Sequence, residues 1–238
     1  TGVKVGTVTG SNGVYTATLT AGTTAGPVNV AVAVDGTTVS GANNSKIITL
    51  SAVANITGVV VNGKSSTVDV GAPDVGFPNA PFQIQINGGI TANSSYTWTA
   101  IPATAASVST GGEVKLLSGA SSTTGQITIR ATPNAGGIAL EYKFKLNNWF
   151  EPEVGSFDYN SARTQCSGRG LVLPSINALF HQWSVWGDSR GFGIPSTQWS
   201  LGTPGNTSQP SMNTVDGSTT NKNASGGAYA GVSCWKEL

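Results

Sequence analysis

The sequence predicts a mainly β, multidomain protein in which β-sandwiches in tandem precede an α+β module. Only 10% of its 238 residues are charged, whereas soluble proteins average about 25%, and Thr, Val and Gly are abundant instead. Apolar residues alternate with polar or small ones along much of the chain, which is typical of half-buried strands. Helical periodicity, both cysteines and five of the six tryptophans fall after position 148.

The first module covers residues 1–52 and shows strand patterning with tight turns. Asn12-Gly13 and Asp35-Gly36 are dipeptides typical of two-residue hairpin turns. The pattern of these residues gives only three or four strands, whereas a sandwich of the immunoglobulin type needs about seven strands. We therefore expect an Ig-like domain that looks truncated at its N-terminal side. Its clearest alternation is formed by Val28, Val30, Val32 and Val34.

The second module covers residues 53–147, which is a complete sandwich length. Turn signals at Asn87-Gly88, Gly111-Gly112 and Gly136-Gly137 separate its candidate strands. Trp98 lies on the apolar phase of its strand, which favours a core position over a binding role. The alternating apolar residues include Phe82, Ile84, Ile86, Val114, Leu116, Ile127, Ile129, Tyr142 and Phe144.

The last module covers residues 148–238 and contains two short predicted helices followed by strands. Pro174 precedes the second helix, where a missing N–H is tolerated. Apolar residues recur at i, i+3 and i+7 in one helix and at i, i+3, i+4 and i+7 in the other. These positions are Tyr159, Ala162 and Cys166 in the first helix, and Ile176, Leu179, Phe180 and Trp183 in the second.

Cys166 and Cys234 are the only cysteines. In an oxidising compartment a disulfide between them would close most of the last module into one loop, which stabilises it by about 4 kcal/mol. Two separate buried thiols are the alternative. A metal site does not fit, because two cysteines and one distant histidine lack the spacing of a ligand set.

Charge and hydropathy exclude several classes of function. The formal net charge is +1 and no Lys/Arg cluster is present, so nucleic acid is not expected as a partner. No apolar run approaches the roughly 20 residues that cross a bilayer, and no signal peptide is visible. We expect an extracytoplasmic monomer that does not itself span a membrane.

Catalysis is not expected either. His181 is the only imidazole, and on the second predicted helix it lies beside the apolar face as a surface residue. Neither paired carboxylates nor a nucleophile with a base can be recognised in the sequence. The sequence therefore predicts no enzyme and no cofactor.

The last module resembles the tip domain of the invasin and intimin family. The resemblance rests on a helix with Cys166, a glycine-bearing stretch, "LPS", a second helix and the terminal "YAGVSC". The segment "GSNGVYTATLTAGTTAG" is similar to the second half of a rod domain of this family, and the sandwich ending in "YKFKLNNWF" looks like the domain beside the tip. The resemblance implies an outer-membrane adhesin with an anchor outside this chain, a rod of bacterial Ig-like domains and a C-type lectin-like tip exposed on the bacterial cell surface.

Sugar-binding C-type lectins hold Ca²⁺ with a Glu-Pro-Asn or Gln-Pro-Asp triplet and further carboxylates. This chain has Gln209, Pro210 and Ser211 instead, and Asp216 is the only acidic residue between positions 195 and 236. We therefore interpret "QPS" as a polar turn and expect no metal. "EPE" at positions 151–153 is interpreted as an exposed junction segment.

The resemblance implies a receptor-binding tip, and one loop is the candidate site. The segment "WGDSRGFGIPSTQ" carries Trp186, Asp188, Arg190 and Phe192 between glycines. Trp and Arg anchor many protein interfaces, so these four residues are predicted to bind a host-cell surface protein without Ca²⁺. Family members bind integrins in one branch and a translocated bacterial receptor in another; an aspartate is central to integrin binding, and Asp188 is the candidate here.

Three alternatives remain open at this point. Trp186 and Phe192 could instead close the core of the last module. The module could bind carbohydrate, with or without Ca²⁺, as a lectin. It could also have a purely structural role as the cap of a rod.

Overall fold

A computed structural model describes residues 3–12, 14–21, 26–38, 45–50, 54–71, 73–123, 125–202, 206–224 and 228–238. The chain divides into two compact units, Thr1–Ala54 and Asn55–Leu238. The predicted division into three domains at positions 52 and 147 stays a prediction.

The described residues of the first unit form eight short strands in antiparallel pairs, so the expectation of three or four strands is wrong. β1 pairs with β4, β2 with β3, β5 with β8 and β6 with β7. Asn12 and Asp35 have φ angles of 53° and 49°, as tight hairpin turns require. In the predicted valine stripe the first two residues are half-buried and the last two exposed. The strands are β1 (Val3–Val5), β2 (Thr9–Ser11), β3 (Val14–Thr16), β4 (Leu19–Ala21), β5 (Gly26–Ala31), β6 (Ala33–Val34), β7 (Thr37–Thr38) and β8 (Ser45–Leu50).

The second unit begins with a sandwich. Its strands are β9 (Ile56–Val61), β10 (Lys64–Thr67), β12 (Pro81–Ile86), β13 (Tyr96–Ile101), β14 (Ala106–Val108), β15 (Glu113–Leu116), β16 (Ile127–Pro133) and β17 (Leu140–Phe144). One sheet has the order β10-β9-β12-β15-β14 and the other the order β13-β16-β17.

The two sheets of the sandwich share an apolar core. Phe82 of β12 and Phe144 of β17 meet edge to face, with ring centroids 5.4 Å apart. Trp98 is buried, and its Nε1 donates a hydrogen bond of 3.0 Å to the carbonyl of Asn93, so the core position predicted for it is confirmed. The strand alternation in the sequence therefore identifies this core correctly.

We call residues 148–238 the C-terminal part. It contains β18 (Asn148–Phe157), α1 (Tyr159–Ser167), α2 (Ile176–Trp186), β19 (Thr197–Trp199), β20 (Ser208–Asn213), β21 (Thr219–Asn223) and β22 (Ala230–Glu237). Its sheet has the order β11-β18-β22-β19-β20-β21, in which β11 (Val75–Gly76) comes from the sandwich segment. β11 runs parallel to the start of β18, so the sandwich segment supplies an edge strand to this sheet.

Side-chain caps begin both helices. Asp158 accepts hydrogen bonds of 3.0 Å from the backbone N–H groups of Asn160 and Ser161 at the start of α1. Ser175 accepts one of 3.1 Å from Ala178 at the start of α2. Both helices therefore begin where the sequence predicts them.

One face of the C-terminal sheet packs against α1. Cys166 of α1 and Cys234 of β22 form a disulfide with their Cα atoms 5.2 Å apart, as the sequence predicts. Tyr159 meets Trp199 edge to face across this core, with ring centroids 5.5 Å apart. The cluster consists of Tyr159, Ala162, Cys166, Leu171, Leu173, Trp199, Ala230, Val232 and Cys234.

The mainly β fold with a C-terminal α+β part is confirmed, whereas two local interpretations are wrong. The "QPS" segment is not a turn, because it lies in β20 and pairs with β21. The "EPE" segment is not an exposed junction, because it lies in β18 with its side chains half-buried. Both triplets place a proline between polar residues, and such a segment shows no alternation of apolar and polar residues that would predict a strand.

Candidate functional site

Trp186 at the end of α2 is fully buried against the sandwich segment. Its ring meets Phe77 edge to face with centroids 5.1 Å apart, and its Nε1 donates a hydrogen bond of 3.0 Å to the carbonyl of Val75. Both the apolar ring and the polar N–H of the indole are thus satisfied inside the protein. The side chain of Trp186 therefore positions the loop that follows it.

The sandwich also supplies hydrogen bonds to α2. The Nδ2 of Asn62, in the turn between β9 and β10, donates to the carbonyl oxygen of Trp186 and so caps the helix C-terminus. One turn earlier, Nε2 of His181 lies 2.9 Å from Oδ2 of Asp74. His181 is exposed on the helix, as predicted, and its carboxylate partner belongs to the sandwich segment.

Gly187 lets the chain leave α2 close to the sandwich. Its φ is +61°, and a Cβ at this position would lie 2.7 Å from Nδ2 of Asn62. An L-residue would therefore be strained and would also displace the capping side chain. The position of the loop thus depends on a glycine.

Asp188 and Arg190 form an ion pair in the loop. The Nη2 of Arg190 lies 2.7 Å from Oδ2 of Asp188, and its Nε lies 3.0 Å from Oδ1. The backbone N–H of Arg190 also donates to Oδ1 of Asp188, at 3.2 Å. The hydrogen bonds from the Arg190 side chain hold the pKa of the Asp188 carboxyl below its usual value. Both side chains remain accessible to a partner.

Phe192 is half-buried beside the same sandwich residue as Trp186. Its ring centroid lies 6.3 Å from that of Phe77. The structure thus brings the four predicted residues together in two pairs. Trp186 and Phe192 both contact Phe77, whereas Asp188 and Arg190 meet at the surface. All four residues remain predictions as binding residues.

Next to this loop lies a cleft of about 640 Å³ between the sandwich segment and the C-terminal part. We call it the junction cleft. Phe192 lines it, and so do Pro78, Pro152 and Val154. On one wall Arg169 forms ion pairs with Glu151 and Glu153. Its other lining residues are Asn79, Ser118, Gly155, Gly193 and Pro195.

Sequence reasoning missed the sandwich residues that hold this loop, namely Asn62, Val75 and Phe77. It also missed Val154, which is completely exposed in the middle of a strand. The one available signal was the Val-Gly dipeptide in a strand that is otherwise rich in large residues, because glycine inside a strand often marks a bulge.

The described residues hold no group of three or more His, Cys, Asp or Glu side chains that could bind a metal ion. Asp216 accepts a hydrogen bond of 2.8 Å from the backbone N–H of Ser218. Hydrogen bonds from Ser218 also hold the pKa of this carboxyl below its usual value. Among the helices of the described residues, none is both long and apolar enough to cross a membrane.

Comparison with known proteins gives matches to one group of adhesins. The family described as "Invasin, domain 4" matches residues 54–144. Invasin of Yersinia enterocolitica is 32% identical over 147 residues, which are 62% of this chain and 17% of the relative. The chain therefore spans about a sixth of the length of this curated relative.

Three solved structures have a similar fold. The crystal structure of invasin, a bacterial integrin-binding protein, has a TM-score of 0.84 and 23% identity; the match covers 99% of this chain and 49% of that one. A mutant intimin of EHEC O157:H7 has a TM-score of 0.58 and 17% identity, covering 77% of this chain and 98% of that one. Intimin in complex with Tir90 has a TM-score of 0.57 and 17% identity, covering 77% and 97%. At these identities the likeness concerns the fold.

Proposed function

We propose that this chain, which belongs to the invasin and intimin family of adhesins, binds a protein receptor on host cells through its lectin-like C-terminal part. The family is one of surface adhesins and is not enzymatic. The contact surface that we propose is the loop of residues 187–192, with Asp188 and Arg190 as its polar contacts and Phe192 as its apolar contact.

One observation carries this proposal, namely that a loop with exposed charges is held on a rigid base. Trp186 fixes the start of the loop against Val75 and Phe77, and Phe192 at the end of the loop also packs against Phe77. A loop held in this way loses little conformational entropy when a partner binds. Interface energy concentrates in few residues of such preorganised surfaces, and Arg and aromatic residues are enriched among them.

We further propose that binding needs no Ca²⁺. Asp216 is the only acidic residue in the sequence between β19 and β22. Its Oδ1 accepts a hydrogen bond from the backbone N–H of Ser218. Ca²⁺ takes six to eight oxygen ligands, several of them carboxylates, and one carboxylate that is already engaged is too few. The proposed setting is the bacterial cell surface, with the protein monomeric and anchored in the outer membrane by a part outside this chain.

Binding of the labelled full chain to cultured epithelial cells tests the loop. We expect the double substitution Asp188→Ala/Arg190→Ala to weaken binding about thirty-fold, which corresponds to the roughly 2 kcal/mol typical of an interface hot spot. Lys222→Ala, which removes a charge from β21 outside the loop, should bind like the original chain. Unchanged binding of the folded double variant would remove the loop from the receptor site.

A further inference from the structure

We infer that the junction cleft is a docking site for a protein partner that inserts an apolar side chain followed by a lysine or arginine. This inference deepens the proposed function, because it assigns the chemistry of the partner and extends the contact surface beyond the loop. It rests on three independent features: the apolar lining of the cleft, a valine projected by a bulge, and an excess carboxylate on one wall.

The cleft suits an inserted side chain better than an added strand. One edge of β18 pairs with β22. On the other edge, β11 pairs only with Asn148 and Trp149, so from Phe150 onward this second edge has no strand partner in the described chain. Pro152 lies in this open edge, and a proline has no N–H to offer to an added strand. A partner strand would therefore pair poorly here.

The side to which the backbone of Pro152 points can be derived from the hydrogen bonds on the edge of β22 that faces away from β18. Trp235 exchanges both of its backbone hydrogen bonds with Val172, at 3.1 and 2.8 Å. Residues along a strand alternate in the side to which their backbone groups point. Ser233 therefore points away from β18, and its register partner Pro152 points away from β22, into the open edge.

Val154 provides an apolar contact at the mouth of the cleft. The register between β18 and β22 shifts between Glu153 and Phe157, which is a β-bulge, and Gly155 within it has a φ of +121°. The bulge leaves the side chain of Val154 completely exposed. Bulges often re-aim a side chain next to a functional site. Phe192 and Val154 thus give the cleft two apolar contacts.

The wall of the cleft carries one carboxylate more than it can neutralise. Glu151 and Glu153 share the single guanidinium of Arg169, and the other lining residues are uncharged. The two carboxylate side chains are 23% and 15% exposed, so water screens their charge only in part. A cation on the partner would complete this network, whereas an anion would be repelled.

The test compares single substitutions in the full chain, using binding to cultured epithelial cells as the readout. Val154→Ser removes the apolar contact at a fully exposed position, so the fold should not be affected. Ile138→Ser is the matched control, because Ile138 is 89% exposed in a loop of the sandwich and does not line the cleft. We expect Val154→Ser to weaken binding at least tenfold, and Ile138→Ser to leave it unchanged. Equal binding by both variants would overturn the inference.

The charge of the partner is tested separately with Glu151→Gln, which removes the excess carboxylate. We expect weaker binding with a smaller dependence on ionic strength, whereas Glu113→Gln on β15 should change neither. Tighter binding of Glu151→Gln would mean that the partner is anionic here, which contradicts the inference. Because Glu151 also pairs with Arg169, the stability of each variant is checked by urea unfolding. The urea midpoint of each variant should equal that of the original chain.

The outcomes separate this inference from the proposed function. If the loop double variant loses binding and Val154→Ser does not, the loop stands and the cleft is wrong. If Val154→Ser alone loses binding, the cleft stands and the loop is wrong. If neither variant changes binding, both proposals fail.

Discussion

The indole Nε1 of Trp186 donates a hydrogen bond of 3.0 Å to the carbonyl oxygen of Val75, a residue 111 positions earlier in the chain. Val75 belongs to β11, which pairs with the start of β18. The sandwich segment is therefore joined to the C-terminal part through a strand pair and through a buried side chain. Their folding should be coupled for this reason.

We expect Trp186→Ala to lower the free energy of unfolding by about 3 to 5 kcal/mol, because it leaves a large cavity beside Phe77. Trp186→Phe keeps part of the packing but leaves the carbonyl of Val75 without its donor, which costs about 1 to 3 kcal/mol. Urea unfolding followed by circular dichroism measures both. Trp183, which is half-buried on the same helix, is the control, and Trp183→Ala should cost less than Trp186→Ala. The reverse order would contradict the role assigned to Trp186.

The disulfide makes a second prediction. Replacing both Cys166 and Cys234 by Ala should lower the free energy of unfolding by about 2 to 5 kcal/mol, since the bond restricts a long loop of the unfolded chain. Urea unfolding with and without dithiothreitol is the measurement. Reductant should destabilise the original chain and leave the double variant unaffected. A reductant effect on the double variant would mean that the loss has another cause.

The cap of α1 predicts a pH dependence. The side-chain hydrogen bond with Ser161 lowers the pKa of Asp158. A carboxyl with a lowered folded pKa contributes stability above its unfolded pKa, near 3.9, and loses this contribution as the pH falls through the folded value. Asp158→Ala should therefore cost about 1 kcal/mol at neutral pH, and the difference should shrink below about pH 4. Urea titrations between pH 3 and pH 7 measure it.

Asp158→Asn is the matched variant for this pH dependence. Asparagine is also a good N-cap residue, so most of the stability at neutral pH should be retained. The asparagine side chain does not titrate, so the difference in stability between Asp158→Asn and Asp158→Ala should not change between pH 3 and pH 7. A parallel pH response of the original chain and Asp158→Asn would show that another group is responsible.

Gln198 on β19 allows a test of buried polarity. Its side chain is fully buried, and its Nε2 and Oε1 have no hydrogen-bond partner among the described residues. A buried amide without partners costs about 1 to 3 kcal/mol, so the similarly sized substitution Gln198→Met should stabilise the protein by about 1 kcal/mol. Thermal or urea unfolding measures the change, with the exposed Gln126→Met as control. A clear loss of stability would indicate that ordered water satisfies the amide.

Alternating residues in the sandwich predicted its core, because each strand faces the core on one side only. The second helix shows the limit of this reasoning. The sequence favoured a face with Ile176, Leu179, Phe180 and Trp183. Of these only Leu179 is buried, together with Gln182 and Trp186. The burial of Trp186 depends on Val75 and Phe77, and one helix carries no signal of contacts more than a hundred positions away.

The candidate site was predictable in the same partial way. Its residue types marked the loop, since Trp, Arg and Phe between glycines are typical of an interface. Which of them are exposed depends on the sandwich, because Phe77 takes up one side of Trp186 and of Phe192. β11 is two residues long, which is too short for any periodicity, so the strand that joins the two parts could not be predicted.

The decisive measurement is the binding of the labelled full chain to host epithelial cells after three separate treatments: trypsin on the cells, glycosidases on the cells, and EDTA in the buffer. If the lectin-like part binds a protein receptor without Ca²⁺, trypsin should abolish binding, and glycosidases and EDTA should leave it unchanged. Binding that survives trypsin but is lost after glycosidases or in EDTA would contradict this and would identify a sugar-binding lectin.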